Sequence, residues 1–235
     1  MQSKDLKRLT EIQNTFAKKI SLQNNFSLEE IDLVAGIDIA YWQEGLRDYG
    51  VCCIQVFDYK TKKVIEEVEY AGPVEFPYIA GYLAFRELPL VLKAAEKLSN
   101  KPDLFMFDGN GYLHKRHMGL ATQASFELGK PTIGVAKNYF KINDVNFIMP
   151  KNKDGAYTDI VVNGKVMGRA LRTRKDVKPV FVSCGNWIDL DTATYITMHF
   201  VEKDSRLPIT TRYADIATHR ARELFRNKYK NRHED

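Results

Sequence analysis

Three β-rich segments follow one another without a helical stretch between them: IDLVAGIDIAYW, VCCIQVFDYK and KKVIEEVEYAG, within residues 31–72. The last two flank the polar Asp58-Tyr59-Lys60-Thr61-Lys62 stretch, which reads as the loop of a hairpin, so the chain is expected to open its sheet with a three-stranded antiparallel meander. That opening constrains all that follows, because later strands must extend the same sheet or build another. Residues 82–98 turn helical, with Pro89 expected to open a new helix or kink one because it lacks an amide proton. DLFMFDGNG then reads as a buried strand running straight into a loop. GLATQASFELG reads as a helix closed by Gly129, and PTIGVAK as another short strand. A strand that returns to the sheet after a helix arrives parallel, so crossovers join the meander. Residues 156–184 hold two or three further β-like runs around Asn163-Gly164, a strong hairpin signal, and ATYITMHF and RYADIATHRARELFRNKY read as closing helices. The KNKDGAY stretch reads as a surface loop. The fold class expected from this order is α/β with a mixed sheet flanked by helices.

At the N-terminus, Leu6, Leu9, Ile12, Phe16 and Ile20 recur at helical spacing among polar residues, which predicts an amphipathic helix over 4–20. With 235 residues and 44% hydrophobic content, one core and a single domain over 1–235 are the simplest expectation. No apolar run approaches the ~18 residues of a membrane span, and MQSKDLKRLT lacks the apolar centre of a signal peptide; the expected compartment is the cytoplasm. Cys52 and Cys53 point to opposite faces if their segment is a strand, and Cys184 is remote, so neither a disulfide framework nor zinc spacing follows. Lys and Arg number 35 against 30 Asp and Glu, a net charge of +5 that only weakly favours a nucleic-acid partner.

The acidic residues carry more information. Asp38 interrupts the apolar strand VAGIDIAY, where an ionised carboxylate is costly without a partner, and Asp108 ends FMFDGNG in the same manner. A divalent cation suits such oxygen ligands, although a loop-bonded Asp38 and a turn-forming Asp108 fit equally simply. Glu87 directly precedes the expected helix start, from which its carboxylate could reach over the sheet or cap the helix. Asp215 falls in the early turns of the last helix, begun near Thr210 or Thr211, where an acidic residue also suits the helix dipole. A strand centre, a strand end, a helix start and a late helix can converge on one cleft. Lys137, at the end of TIGVAK, would bring an ammonium near Asp108 to bind phosphate or orient water, or would be a surface lysine. His114 could donate to a phosphate or be a solvated loop residue, and a metal pair with His117 lacks further ligand spacing.

Together these motifs resemble the endonuclease V family, nucleases that act on deaminated purines and inosine in particular, whose members are deoxyinosine 3′ endonucleases. The resemblance covers most of the chain and rests on GIDIAY, PYIAGYLAFRE, DGNGYLHKRHMGLA, IGVAK, GRALRTR, VKPVFVSCGN and LPITTRYAD. It implies a ribonuclease H-like fold. It also implies that Asp38, Glu87, Asp108 and Asp215 form an acidic site for Mg²⁺, with Mn²⁺ as a substitute, and that Lys137 lies near the scissile phosphate. Several carboxylates holding cations suit phosphodiester hydrolysis. The implied cut is at the second phosphodiester bond 3′ to the lesion, leaving 3′-hydroxyl and 5′-phosphate ends. By the same resemblance Tyr78, Ile79 and Ala80 form a strand-separating wedge, with Tyr78 stacking. Gly81, Leu83, Gly109 and Leu120 outline a base pocket, and His114 belongs to the substrate-binding set. The implied partner is DNA carrying inosine or other deaminated bases, bound by a monomer.

Three positions depart from the family pattern: Ala80 where the wedge commonly has a second proline, Lys115 where proline usually follows the histidine, and Asn186 where histidine is frequent. None touches the four carboxylates, so cleavage chemistry is expected to persist while the departures leave substrate preference open. Two other functions stay open, an endoribonuclease on single-stranded inosine RNA and a non-catalytic binder of damaged or branched nucleic acid. Basic residues in RALRTRKDVK and in the C-terminal run with Arg220, Arg222, Arg226, Lys228 and Lys230 could track a phosphate backbone or form a solvated face.

Overall fold

The computed structural model describes residues 3–231. The opening meander forms as expected: β1 (Leu33–Glu44) pairs antiparallel with β2 (Arg47–Asp58), which pairs antiparallel with β3 (Val64–Pro73). The crossover strands β4 (Leu104–Phe107) and β5 (Thr132–Ala136) add in parallel beside β1. β6 (Ala156–Val162), β7 (Lys165–Arg172) and β8 (Val180–Asn186) complete one eight-stranded sheet in the order β3-β2-β1-β4-β5-β8-β7-β6. Asn163 and Gly164 both take positive φ, 51° and 75°, at the tight β6–β7 turn that their sequence signals. The 151–157 loop is shorter than expected, because Ala156 and Tyr157 already belong to β6.

The two faces of the sheet follow from strand alternation. Ala35, Ile37, Phe105 and Phe107 point to one side, beneath α2 (Leu83–Ala95) and α3 (Leu120–Leu128). Val34, Leu104, Met106, Ile133 and Val135 point to the other, beneath α4 (Leu190–His199) and the start of α5 (Ile209–Asn231). Phe107 and Ile37 are at most 1% exposed; burial of each such side chain contributes about 1.5–3 kcal/mol. Cys52 and Cys53 divide between the two faces as read, both buried and unbridged. α1 (Ser3–Ala17) ends three residues before Ile20, and Phe16 packs on Phe126 of α3 with ring centroids 5.0 Å apart.

Two local expectations are overturned. The helix expected over 82–98 forms as α2, from Leu83 to Ala95, but no new helix opens at Pro89: α2 runs through the proline, held down by buried Ala84, Leu88, Leu90, Val91 and Ala94. Glu87 therefore lies in the second turn of α2 rather than ahead of a helix. At Gly36, α5 rests directly on β1. A Cβ there would stand 2.1 Å from the Thr210 carbonyl oxygen, so only glycine permits this approach. No helix among the described residues is long and apolar enough to cross a membrane.

Candidate active site

Three elements meet at Asp38. It lies on β1 two residues beyond Gly36, hence on the face that α5 covers. Asp108 follows β4 immediately, and its N–H donates to the Ile37 carbonyl at 3.1 Å, which fixes it beside the middle of β1. Asp215 occupies the second turn of α5. Among the described residues, Asp38, Asp108 and Asp215 are the one set of three or more His, Cys, Asp or Glu side chains able to place ligand atoms within 4.8 Å of one another. Lys137, one residue past β5, joins them: its Nζ lies 2.6 Å from Asp108 Oδ2 and 3.0 Å from Asp215 Oδ1. Thr218, one turn beyond Asp215, donates to Asp38 Oδ2 at 2.9 Å.

The cluster is electrostatically unbalanced, with three carboxylates facing one ammonium. Burial, then the charges of Asp108 and Asp215, push Asp38 up to about 7 against the help of Thr218 and Lys137. Asp108 is also raised, chiefly by burial, although Lys137 bonds to it. Burial works against the Lys137 ammonium, yet its bonds to Asp108 and Asp215 outweigh that and hold its pKa above the usual lysine value. An all-oxygen, net-negative donor set of this kind fits a hard divalent cation.

Glu87 stands next to this set and outside it. Its carboxylate accepts a hydrogen bond from Tyr41 Oη at 2.8 Å, and the Arg86 guanidinium lies over the Tyr41 ring, 4.7 Å from its centroid. Burial, and then the charges of Asp38 and Asp108 in spite of the Tyr41 bond, raise Glu87 to about 8. The carboxylate thus feels the aspartates electrostatically without sharing their 4.8 Å neighbourhood.

Beside Asp108 opens a cavity of about 170 Å³. Tyr78, Gly81, Leu83, Gly109, His114 and Leu120 line it, together with Asn110, Met118 and Phe140, which the sequence did not single out. Tyr78 is 71% exposed at its rim, and Ala80 is exposed beside a partly buried Ile79. Asn110 Oδ1 is buried and makes no hydrogen bond among the described residues. His114 is neither solvated nor a cationic donor. It is buried, stacks on Phe140 with centroids 5.6 Å apart, and is depressed to about 4 by burial and by the Arg116 charge. Its Nδ1 accepts the Arg116 N–H at 3.2 Å, which leaves the ring proton on Nε2, toward Gly81. His117 instead stacks on Tyr112 at 4.2 Å, and neither histidine belongs to the one ligand set found among the described residues.

Other residues escaped the sequence reading. His219 lies four residues beyond Asp215 on α5, with Nε2 3.8 Å from Asp215 Oδ1; the i, i+4 spacing was its one signal. Tyr41 and Thr218 gave none. Of the departures, Lys115 is exposed, and Asn186 is fully buried with its Oδ1 accepting from the Ser21 amide at 2.8 Å. In the C-terminal run Arg220 pairs with Glu67, Arg226 and Lys228 are exposed, and the Lys230 side chain lies outside the described residues.

A mixed sheet that opens as an antiparallel meander, takes parallel crossovers and gathers aspartates from β1, the end of β4 and α5 is that of a ribonuclease H-like nuclease. Residues 14–216 match the endonuclease V family, and the chain belongs to it. Endonuclease V of Bacillus thuringiensis subsp. konkukian is 57% identical over 94% of each chain. The crystal structure of the Bacillus subtilis endonuclease V superimposes with a TM-score of 0.92 at 50% identity, covering 97% of this chain and 95% of that one. Endonuclease V of Ciona intestinalis, 25% identical with a TM-score of 0.83 over 95% of this chain and 100% of that one, has been crystallised with a 24mer DNA containing an inosine followed by a ribo-adenosine.

Proposed function

We propose that this protein is a Mg²⁺-dependent endonuclease of DNA repair, acting as a single-domain monomer. It recognises inosine in DNA and hydrolyses the second phosphodiester bond on the 3′ side, leaving 3′-hydroxyl and 5′-phosphate ends. The observation that carries this reading is the adjacency of the two sites: Asp108 belongs to the carboxylate cluster, and the next residue, Gly109, lines the cavity. A base held in that cavity keeps its own backbone close to the aspartates. The Ciona enzyme's inosine-containing DNA supports the substrate class.

Asp38, Asp108 and Asp215 would hold the cation, with Glu87 behind them. When bound, it supplies Lewis-acid polarisation of the phosphodiester and of the attacking water. Mn²⁺ meets the same donor requirement as Mg²⁺. The chain's own residues do the remaining work. Thr218 fixes the Asp38 carboxylate, and Tyr41 fixes that of Glu87. Lys137 spans Asp108 and Asp215 and keeps a permanent positive charge at the edge where a phosphate arrives. Tyr78, Ile79 and Ala80 form the wedge, with the Tyr78 ring replacing the stacking that an extruded base loses. Gly81, Leu83, Gly109, His114 and Leu120 enclose that base. Hypoxanthine presents N1–H as a donor where adenine presents an acceptor, and the unpartnered Asn110 Oδ1 is an acceptor suited to it.

The test is a cut-site map on one inosine duplex with Mg²⁺ and with chelator, beside matched inosine RNA. A single metal-dependent nick at the second bond 3′ to inosine is expected. A cut elsewhere, or metal-independent cutting, overturns the reading. Preference for RNA would move the substrate to single-stranded inosine RNA, a reading that the ribonucleotide beside inosine in the Ciona complex makes worth the parallel arm.

A further inference from the structure

The wedge and the cavity are joined by a tight turn. The Tyr82 N–H donates to the Ile79 carbonyl at 2.9 Å, and Gly81 has φ +84° while Ala80 stays out of the positive region, which makes Ile79–Tyr82 a type II turn. Proline is the favoured residue at its second position, because the ring fixes φ near the required value. Ala80 does not, so the turn's conformation has to be held from elsewhere.

It is held from α1. Gln13 is fully buried on an otherwise amphipathic surface helix. Its Nε2 donates to the Gly81 carbonyl at 3.2 Å, and its Oε1 accepts from Arg116 Nε. Arg116 Nη2 donates to the same Gly81 carbonyl at 2.7 Å, and its guanidinium lies 4.3 Å from the centroid of the Tyr82 ring. Tyr82 Oη in turn shares a 2.7 Å hydrogen bond with Thr10 Oγ1 of α1. The peptide unit between Gly81 and Tyr82 is thus pinned at both ends, its N–H by Ile79 and its carbonyl by Gln13 and Arg116. An apolar residue would pack at position 13 without the cost of burying an amide, so the amide's return lies in what it bonds.

We infer that Gln13 and Arg116 are positioning residues for base selection: they hold the 79–82 turn so that the Tyr78 wedge and the Gly81 wall of the cavity keep a fixed relation, which favours hypoxanthine over adenine. The inference rests on the proposed inosine specificity. A loosened turn lets the cavity wall adapt to either purine, so discrimination falls while the carboxylates, which neither residue touches, keep their chemistry.

Gln13→Met keeps the length of the side chain and removes both polar ends; Gln13→Glu keeps the acceptor for Arg116 and removes the donor to Gly81. Binding of inosine and matched adenine oligonucleotides is measured in chelator, single-turnover cleavage at saturating enzyme with Mg²⁺, and hydrogen exchange at the Tyr82 amide. Gln13→Met is expected to lose about tenfold in inosine-over-adenine binding, the scale of one buried hydrogen bond. Its saturated cleavage rate should stay within about threefold of wild type, and the Tyr82 amide should exchange faster. Gln13→Glu should fall between Gln13→Met and wild type. Unchanged discrimination together with unchanged exchange would overturn the inference. So would an equal loss of binding to both oligonucleotides with a lowered melting temperature, which would make Gln13 a packing residue only. A wild-type protein without inosine preference would instead refute the proposed function, and the exchange measurement would still decide whether the clamp exists.

Discussion

Replacing Asp38 with asparagine should make the metal-free protein more stable and inactive at once. In the fold the Asp38 carboxyl titrates near 7, against an unfolded value near 3.8. A carboxylate raised in this way stabilises the fold only while protonated: its contribution is complete below about pH 4 and is lost as pH rises through about 7. Above pH 7 the fold holds an ion that it disfavours by roughly three pH units, about 4 kcal/mol at 1.36 kcal/mol per unit. Asparagine keeps the volume and an oxygen acceptor for Thr218 but carries no charge. The help of Thr218 is already contained in that value, so Asp38→Asn should gain about 3–4 kcal/mol at pH 8. In a chain of this length that is a rise in melting temperature of about 6–16 °C. Differential scanning calorimetry in chelator at pH 5 and pH 8 reads it directly. The gain should be largest at pH 8, fall to about 1–2 kcal/mol at pH 5, and be reduced by saturating Mg²⁺, which stabilises the wild type by mass action. A variant less stable than wild type at pH 8, or a difference that ignores pH, would refute the placement of Asp38 in an uncompensated acidic cluster.

Gly36→Ala places a methyl 2.1 Å from the Thr210 carbonyl oxygen, so α5 must shift and carry Asp215 and Thr218 with it; a loss of about 1–3 kcal/mol in urea unfolding and a fall in cleavage should accompany each other. Ala80→Pro suits the second position of the type II turn and should add about 0.4–1 kcal/mol, read as a higher urea midpoint with cleavage retained. His114 is held neutral in the fold, near 4 against about 6.5 unfolded, so the stability it confers is lost as pH falls from about 6.5 toward 4. The unfolding free energy of wild type relative to His114→Phe should drop by up to about 3 kcal/mol over that range, and a flat difference would place the ring in solvent.

The sheet and the aspartates were legible because their signals are local. Alternating apolar residues mark each strand, and an acidic residue inside VAGIDIAY or at the end of FMFDGNG stands out against its neighbours. The helix over 82–98 was legible, but Pro89 suggested a second start inside it, which misplaced Glu87 ahead of a helix; the buried residues on either side absorb the cost of the proline. The burial of His114 was hidden because its stacking partner Phe140 lies in a segment without periodicity, 26 residues on. Thr218 and Gln13 were hidden for a stronger reason. Each acts on a group more than 60 residues away, and no pattern within a helix reports which backbone carbonyl or carboxylate will face it after folding.

Calorimetric titration of Mg²⁺ and of Mn²⁺ into wild type and Asp108→Asn at pH 7.5 addresses the convergence of Asp38, Asp108 and Asp215 on one cation most directly. Wild type is expected to bind saturably, with heats that depend on the buffer because carboxyls held near 7 and 8 release protons on binding, and Asp108→Asn to bind at least about tenfold more weakly. Equal affinity in the two proteins, with no proton release, would contradict a metal site built from these residues.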